Sequence, residues 1–248
     1  MTNNMENKLD KVIIITPTYN RKNFLPTLIY QFYYQDYNKD YLSMIILDDS
    51  NVSNQGFFDS LRSDIKSRIT YIYDSNKKTI GAKRNLLNNM AVANGADYIV
   101  CFDDDDYYPP YRVSYGVSKL KESNYLIGGS SGLLIYYPEY EKIYLLGPFI
   151  NKVYTGHALN GTLIYNKKYL DDNSYDDSDT QTEEKKFLKN FKATVFQFDY
   201  DKVMICMSHN SNTINKKNIL ASAKETKFKL EDFIKDNLLL EFFRHLEI

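Results

Sequence analysis

Four consecutive aspartates, Asp103, Asp104, Asp105 and Asp106, follow an apolar run of the kind that forms a buried strand, residues 98–102. Prolines at 109 and 110 prevent this strand from continuing, because proline lacks the amide hydrogen that a sheet ladder needs. The sequence therefore predicts a strand that carries four carboxylates at its C-terminal end. Neighbouring like charges are tolerated in water or around a cation, and clustered carboxylate oxygens suit Mg²⁺ or Mn²⁺. A solvated acidic turn is the alternative.

Three earlier apolar runs alternate with segments that have helical spacing. We predict strands at 12–16, 42–47 and 69–73 and helices at 24–34, 57–66 and 80–94, the last capped by Thr79. This alternation indicates βαβ units and a parallel sheet, in which ligands bind beyond the carboxyl ends of the strands. Polar clusters follow three of the strands, at residues 16–21, 48–50 and 103–106, so we expect them to border one crevice. No glycine-rich dinucleotide motif or P-loop follows any strand.

The pattern changes after residue 123. We predict antiparallel strands at 125–137 and 140–146, a further strand at 159–165, a helix at 181–191 and a hairpin formed by 193–198 and 203–207. Residues 227–248 are predicted to form one amphipathic helix whose apolar side includes Leu230, Leu238 and Phe242. Packing on the domain is the favoured role of this helix, and a homo-oligomer contact is the alternative.

Composition excludes several classes of protein. The 31 Lys and Arg nearly balance the 32 Asp and Glu, so the net charge of −1 argues against a general nucleic-acid-binding protein. No apolar stretch approaches the roughly 20 residues that span a bilayer, and residues 1–10 lack the apolar core of a signal peptide. Cys101 and Cys206 lie in separate apolar runs, as expected for buried thiols in a reducing compartment. We therefore expect a soluble, cytoplasmic protein without a membrane span.

Four short motifs, taken together with their order and spacing, resemble the family-2 glycosyltransferases with the GT-A fold. They are Ile-Thr-Pro-Thr-Tyr-Asn-Arg at 15–21, Leu-Asp-Asp-Ser at 47–50, Gly-Ala-Lys-Arg-Asn at 81–85 and Phe-Asp-Asp-Asp-Asp at 102–106. The resemblance implies a single α/β domain in three parts. A nucleotide-sugar-binding half at 11–122 would hold a mostly parallel central sheet. An acceptor-binding and catalytic half at 123–215 would hold a smaller mixed or antiparallel sheet, and 216–248 would be a helical extension.

The resemblance also implies which residues bind the donor. They are Thr16, Pro17, Tyr19, Arg21, Asp48, Asp49, Lys83, Arg84, Asp103 and Asp104. Tyr19 would stack on the base, and Asp48 or Asp49 would accept the uracil N3–H; an Asx-type turn that closes the strand is the alternative for this pair. Lys83 and Arg84, at the start of a helix, would face the base or the diphosphate, and a solvated helix face is the alternative.

A metal site is implied by the family pattern Asp-x-Asp, in which a proline follows the second aspartate by five residues. Aligning Pro110 with that proline selects Asp103 for the ribose or a metal-bound water and Asp105 as the ligand of Mn²⁺ or Mg²⁺. Asp104 and Asp106 remain alternatives, because a one-residue slip is open in a run of four. His209 would reach the metal from a loop that closes over the diphosphate, and an ordinary loop position is its alternative.

A catalytic base is implied by an acidic pair at a helix start with an apolar residue three positions further on. Glu183 and Glu184 with Phe187 match, and Glu184 takes the position of the base. The family's usual aspartate is a glutamate here, which lengthens the reach by one methylene. A solvated helix N-terminus that favours acidic residues is the alternative.

These residues and the resemblance together predict a metal-dependent, inverting glycosyltransferase. It would move a hexose or N-acetylhexosamine from a UDP-sugar to a hydroxyl of a glycan, protein or small-molecule acceptor. The chain contains no Trp, so it lacks the Gln-x-x-Arg-Trp motif of processive members, and a single-addition enzyme is favoured. A sugar-phosphate nucleotidylyltransferase is an alternative, although residues 16–21 lack the glycine-rich loop of that class. An inactive nucleotide-sugar-binding or scaffold protein is another.

Overall fold

A mostly parallel sheet lies at the centre of the computed structural model, which describes residues 9–214 and 216–246. The strands are β1 (Val12–Thr18), β2 (Leu42–Asp48), β3 (Ile69–Tyr73), β4 (Tyr98–Cys101), β5 (Ile127–Gly129), β6 (Leu133–Tyr137), β7 (Lys142–Leu146), β8 (Ile164–Asn166), β9 (Phe196–Gln197), β10 (Ile205–Met207) and β11 (Lys224–Glu225). The main sheet has the order β3-β2-β1-β4-β8-β5-β9, and β1 to β4 are parallel. The predicted parallel sheet is therefore confirmed.

Helices of the described residues pack on both faces of this sheet and on the second sheet described below. They are α1 (Leu25–Tyr33), α2 (Gln55–Asp59), α3 (Ser63–Lys66), α4 (Ile80–Ala93), α5 (Arg112–Ser123), α6 (Glu184–Phe187), α7 (Lys217–Leu220), α8 (Leu230–Phe233) and α9 (Asn237–Arg244). Side chains of β1 alternate between the two faces: Ile14 joins the core cluster that includes α1, and Ile13 joins the cluster that includes α4. Burial on both faces explains why the parallel strands are continuous β-branched runs.

A second, mixed sheet has the order β10-β6-β7-β11. Its β6 and β7 form the predicted antiparallel pair, joined by a turn at Pro138–Tyr140. The bridge between Tyr107 and Ile205 ties the segment after the aspartates to β10, so the second sheet is anchored beside the acidic strand end.

Several predictions for the second half were wrong in detail. The predicted strand at 125–137 is two strands in different sheets, because the Ser130 hydroxyl hydrogen-bonds within residues 130–132 and breaks the ladder. The predicted hairpin at 193–207 is also two strands in different sheets, β9 and β10. A 3-10 turn at Asn160–Thr162 occupies much of the predicted strand at 159–165, which leaves β8 starting at Ile164.

The predicted single helix at 227–248 is instead two short helices, α8 and α9; its last two residues lie outside the described residues. Asp236 causes the break, since its side chain accepts a hydrogen bond from the Leu239 amide and caps a new helix. Apolar residues of both helices pack on the second sheet, in the cluster that contains Leu230, Phe243 and Met207. Leu238, predicted on the apolar side, is 74% exposed.

Within the described residues, no helix combines the length and the apolar character that crossing a bilayer requires. Cys101 and Cys206 are buried free thiols, as predicted.

Candidate active site

A cavity of about 520 Å³ opens at the carboxyl ends of β1 and β4. The predicted site residues that line it, including the alternative ligand Asp106, are Pro17, Tyr19, Arg21, Lys83, Arg84, Asp103, Asp104, Asp105, Asp106 and Glu183. Residues that the sequence did not single out as site residues also line it: Thr18, Lys77, Lys78, Thr79, Ile80, Thr180, Gln181, Thr182, Cys206, Ser211, Asn212, Thr213, Ile214 and Lys216. The lining thus combines acidic, cationic and hydroxyl side chains. Thr16, Asp48, Asp49, Glu184 and His209 are not part of this lining.

The four aspartates point to different partners. Asp103 accepts a hydrogen bond of 2.6 Å from Arg84 Nη2, and its side chain is 30% exposed. Asp104 accepts one of 2.5 Å from the Thr18 hydroxyl and one of 2.9 Å from Arg21 Nη1. Asp106 accepts the Met207 amide at 2.9 Å and so supports β10. All four aspartates thus line the cavity, and Asp106 also holds the backbone of β10.

Burial and neighbouring charge separate the acidities of these carboxyls. Burial raises the pKa of Asp104 to about 6, against the opposing effect of Arg21. Burial alone would also raise the pKa of Asp105, but Arg21 and His209 lower it to about 2. Burial and the charge of Asp105 raise the pKa of Asp106 well above its ordinary value. Of Asp104, Asp105 and Asp106, Asp105 is thus the one whose neighbours favour the ionised form.

Asp105 and His209 are hydrogen-bonded to each other at a spacing that would also suit two ligands of one ion. Asp105 Oδ2 lies 3.0 Å from His209 Nε2, and two adjacent ligands of an octahedral ion at about 2.1 Å are separated by about 3 Å. Carboxylate and imidazole are both donors that Mn²⁺ accepts. Among the residues that the structure describes, no three His, Cys, Asp or Glu side chains form a ready-made metal cluster, and the Arg21 guanidinium contacts Asp104 and Asp105. Asp105 and His209 thus offer donor types that a divalent ion takes, and in this structure Arg21 contacts the same aspartate.

The two aspartates after β2 are enclosed. Asp48 accepts hydrogen bonds from the Ser50 amide, the Asn54 amide group and the Tyr71 hydroxyl, which places the Asx-type turn at Asp48. Asp49 pairs with Lys83 Nζ at 2.7 Å and accepts the amide of Lys78 at 2.7 Å. Both residues are no more than 2% exposed. Asp49 thus borders the cavity through two lysines, and base recognition by either aspartate stays a prediction.

Tyr19, directly after β1, lines the cavity, whereas Thr16 within β1 is fully buried. Lys77 Nζ lies 3.9 Å from the centre of the Tyr19 ring, a cation–π contact. Lys77 was not predicted, because nothing in its local sequence distinguishes it from an exposed loop lysine.

The start of helix α4 holds the loop that leads to α6. Thr79 caps α4 as predicted, by accepting the Ala82 amide at 3.2 Å. Gly81 lies against the loop that leads to α6: a Cβ there would be 1.8 Å from the Asp176 carbonyl oxygen. Asn85 holds the same loop, since it donates to the Tyr175 carbonyl and accepts the Tyr175 amide. Helix α4 therefore positions the acidic pair of α6.

Glu183 and Glu184 lie at the start of α6, both buried. Glu183 lines the cavity and accepts from Arg84 Nε at 3.4 Å. Burial, together with the adjacent charge of Glu183, raises the pKa of Glu184 to about 8. Thr182, immediately before, has a φ of 57°, a strained left-handed conformation for a β-branched residue.

Helix α6 is one turn long, not the eleven residues predicted at 181–191. The left-handed residue at 182 blocks an earlier start, and Lys189, Asn190 and Phe191, all with positive φ, stop it. Phe187 anchors the turn as predicted: it is fully buried and stacks on Tyr175 with ring centres 4.1 Å apart. The acidic pair is therefore held by packing rather than by a regular helix.

The fold is that of the GT-A class of α/β proteins. The sequence model of the family described as Glycosyl transferase family 2 matches residues 13–163, so the chain belongs to that family. The curated Glycosyltransferase GlyA of Streptococcus pneumoniae serotype 4 is 25% identical over 147 residues, which cover 54% of this chain and 20% of that protein.

Solved structures share the fold. S. aureus TarS 1-349 in complex with UDP superposes with a TM-score of 0.58 at 18% identity, covering 80% of this chain and 61% of that one. The mannosyltransferase PcManGT from Pyrobaculum calidifontis, in complex with GDP-Man and Mn²⁺, gives 0.60 at 15% identity, covering 83% and 59%. The chain thus spans about one fifth of the curated relative and about three fifths of these structures.

Proposed function

We propose that this chain transfers a sugar from a UDP-sugar to an acceptor hydroxyl, in a metal-dependent, inverting, single-addition reaction. One observation carries the proposal: Arg84 bonds both Asp103 at the acidic strand end and Glu183 of the acidic pair, on the wall of one cavity. A transferase needs a site for the leaving diphosphate next to a base for the acceptor, and this contact joins the two.

The cationic part of the lining supports a donor that carries phosphates. Positive charge is brought to the cavity by four of its lining residues, Arg21, Lys77, Lys83 and Lys216. Tyr19 provides an aromatic face on which a base can stack. A UDP-sugar is favoured as the donor because TarS was solved with UDP and with UDP-GlcNAc. The mannosyltransferase was solved with GDP-Man, so GDP-mannose is the competing donor to test.

Asp105 and His209 would hold the divalent ion, with Asp103 next to them for the ribose or a metal-bound water. A bound Mn²⁺ or Mg²⁺ would act as a Lewis acid toward the charge that the departing diphosphate acquires. Within the protein, His209 is itself oriented by Ser211 Oγ, 2.9 Å from its Nδ1, as an imidazole ligand commonly is.

Glu184 is proposed as the base that accepts the acceptor proton, and Glu183 as its partner. A base works best when its pKa is near the operating pH, and burial brings the pKa of Glu184 to about 8. The contact between Glu183 Oε1 and Arg84 Nε, at 3.4 Å, holds the acidic pair in place. If Glu183 is instead the base, the Glu183→Gln variant loses more activity than Glu184→Gln.

The test is release of UDP from a panel of UDP-hexoses and UDP-N-acetylhexosamines with Mn²⁺, alongside GDP-mannose. We expect release from at least one UDP-sugar, and its loss in Asp105→Asn and Glu184→Gln. The exposed Glu122→Gln, whose side chain pairs with Lys119 on α5, is the matched control and should keep full activity. Release of GDP alone would overturn the donor assignment. Formation of a nucleotide-sugar from a sugar phosphate, or binding without turnover, would overturn the transferase.

A further inference from the structure

One arginine joins the acidic strand end to the loop that follows β10. Arg21 Nη1 contacts Asp105 Oδ2 and donates to Asp104 Oδ1 at 2.9 Å. Its Nη2 donates to the Ser211 carbonyl oxygen at 2.8 Å. The Arg21 side chain is only 14% exposed, so its contacts with Asp104 and Asp105 are partly shielded from water and from salt, whereas its bond to Ser211 lies at an exposed position. Its planar fork thus satisfies two carboxylates and one loop carbonyl at once.

The loop that Arg21 holds is otherwise bonded mainly to itself. The His209 amide donates to Asn212 Oδ1 at 2.8 Å, and Asn212 Nδ2 lies 2.8 Å from His209 Nε2. Towards the acidic strand end the loop reaches Asp105 Oδ2 through His209 at 3.0 Å and Asn212 at 3.3 Å, and it reaches Arg21 through Ser211. Asp105 Oδ2 is therefore the shared acceptor of Arg21 and the loop.

That oxygen is also the one that would face a divalent ion placed between Asp105 and His209. The guanidinium of Arg21 occupies a lone pair of Asp105 Oδ2. Its positive charge, in contact with Asp105, also repels a second cation in a site of reduced dielectric. Arg21 in this position and an ion on Asp105 therefore compete for the same oxygen, Oδ2. An ion that arrives alone must displace the guanidinium from Asp105 and leave it with Asp104 as its remaining carboxylate partner here.

We propose that Arg21 is a built-in counter-cation: it occupies the ion's position in the donor-free protein and moves to the donor's diphosphate when donor and ion bind together. The inference rests on the proposed function and deepens it, because it makes ion binding conditional on the nucleotide. A diphosphate in the cavity gives the guanidinium a bidentate anionic partner, which repays its departure from Asp104 and Asp105. Departure of Arg21 from Asp105 also frees the Ser211 carbonyl and so alters the loop contact.

The test measures Mn²⁺ binding directly, by the loss of the electron paramagnetic resonance signal of free Mn²⁺, on the full chain. Without nucleotide we expect Arg21→Met to bind Mn²⁺ about tenfold more tightly than the wild type, and Arg21→Lys to lie between them. With saturating UDP we expect the wild-type affinity for Mn²⁺ to rise by about tenfold, and that of Arg21→Met to change much less. Arg62→Met removes an exposed arginine that pairs with Asp64 and should match the wild type.

Arg21→Lys keeps a positive charge beside the aspartates, so it answers the question even where Arg21→Met does not fold. Equal Mn²⁺ affinity of the wild type and the Arg21 variants without nucleotide, or an equal response to UDP, overturns this inference and leaves the proposed transferase standing. Absence of Mn²⁺ binding in every protein, with and without UDP, overturns both the inference and the metal assignment on which it rests.

Discussion

Arg84 Nη2 donates a 2.6 Å hydrogen bond to Asp103 Oδ1, which bonds helix α4 directly to the acidic end of β4. The same guanidinium contacts Glu183, and Arg84 is only 2% exposed. A single buried cation thus fixes the spacing between the proposed donor side and the proposed base side of the cavity. Its fork geometry matters more than its charge, because two carboxylates must be reached at once.

Two replacements of Arg84 should distinguish the contribution of its charge from that of its fork geometry. Arg84→Ala leaves the buried Glu183 and the partly exposed Asp103 without this partner, so we expect a loss of at most about 3–5 kcal/mol in the free energy of unfolding. Arg84→Lys retains the charge but reaches one carboxylate at a time, so it should fold with a smaller loss and turn over at least about tenfold more slowly. Chemical denaturation and UDP release measure the two effects. Arg62→Lys, at an exposed site, is the control. Full activity in Arg84→Lys would contradict the proposed role of the fork.

Glu184→Gln should stabilise the protein in a pH-dependent way. The folded-state pKa of Glu184, raised by burial and by Glu183 to about 8 from 4.5, means that the folded protein binds this proton more tightly than the unfolded chain does. Wild-type stability therefore falls as the pH rises from about 4.5 to about 8, with Arg84 partly offsetting and Asp103 adding to the repulsion. Above pH 8 we expect the glutamine variant to be more stable by roughly 2–4 kcal/mol, and near pH 5 the difference should be small.

Thermal melts of wild type and Glu184→Gln across pH 5 to 9 measure this difference. Glu122→Gln, on the exposed face of α5, should show no such growth of stability with pH. A constant difference between wild type and Glu184→Gln across the range would show that Glu184 does not titrate in a buried site.

Gly81→Ala should displace the loop that carries the acidic pair. A Cβ at Gly81 would lie 1.8 Å from the Asp176 carbonyl oxygen, a backbone atom that cannot rotate away. The matched control is Gly56→Ala in α2, where a Cβ would meet nothing within 4 Å. We expect Gly81→Ala to lower the melting temperature and the rate of UDP release, while Gly56→Ala leaves both nearly unchanged. Equal behaviour of the two variants would contradict the packing described here.

The parallel half of the fold was predictable because each of its strands is a continuous apolar run with a polar end. β1 to β4 lie within two residues of their predicted bounds, and Thr79 caps α4 as expected. The second half was predicted less well, because its strands are two to five residues long and pair across the two sheets. Helix α6 was overestimated because the left-handed backbone at Thr182 and Asn190 depends on tertiary packing that local sequence does not reveal.

For the site, the sequence indicated which strand ends meet, but not what each side chain does there. Pro17, Tyr19 and the acidic run lie on one cavity, as the parallel topology requires. The enclosure of Asp48 depends on Asn54 and Tyr71, whose approach is a tertiary feature. Lys216 and Asn212 come from a loop that the bridge at Ile205 brings beside the aspartates, and no local motif marks them.

The measurement that tests the central claim most directly is calorimetric titration of UDP into the protein with and without Mn²⁺, for the wild type and for Asp105→Asn. Asp64→Asn, an exposed aspartate on α3, is the control for removal of one negative charge. We predict that Mn²⁺ strengthens UDP binding by at least about tenfold in the wild type and in Asp64→Asn, and that Asp105→Asn loses this gain. Equal UDP affinity with and without Mn²⁺ in the wild type, or an undiminished gain in Asp105→Asn, would contradict the assignment of the acidic strand end as the site of the ion.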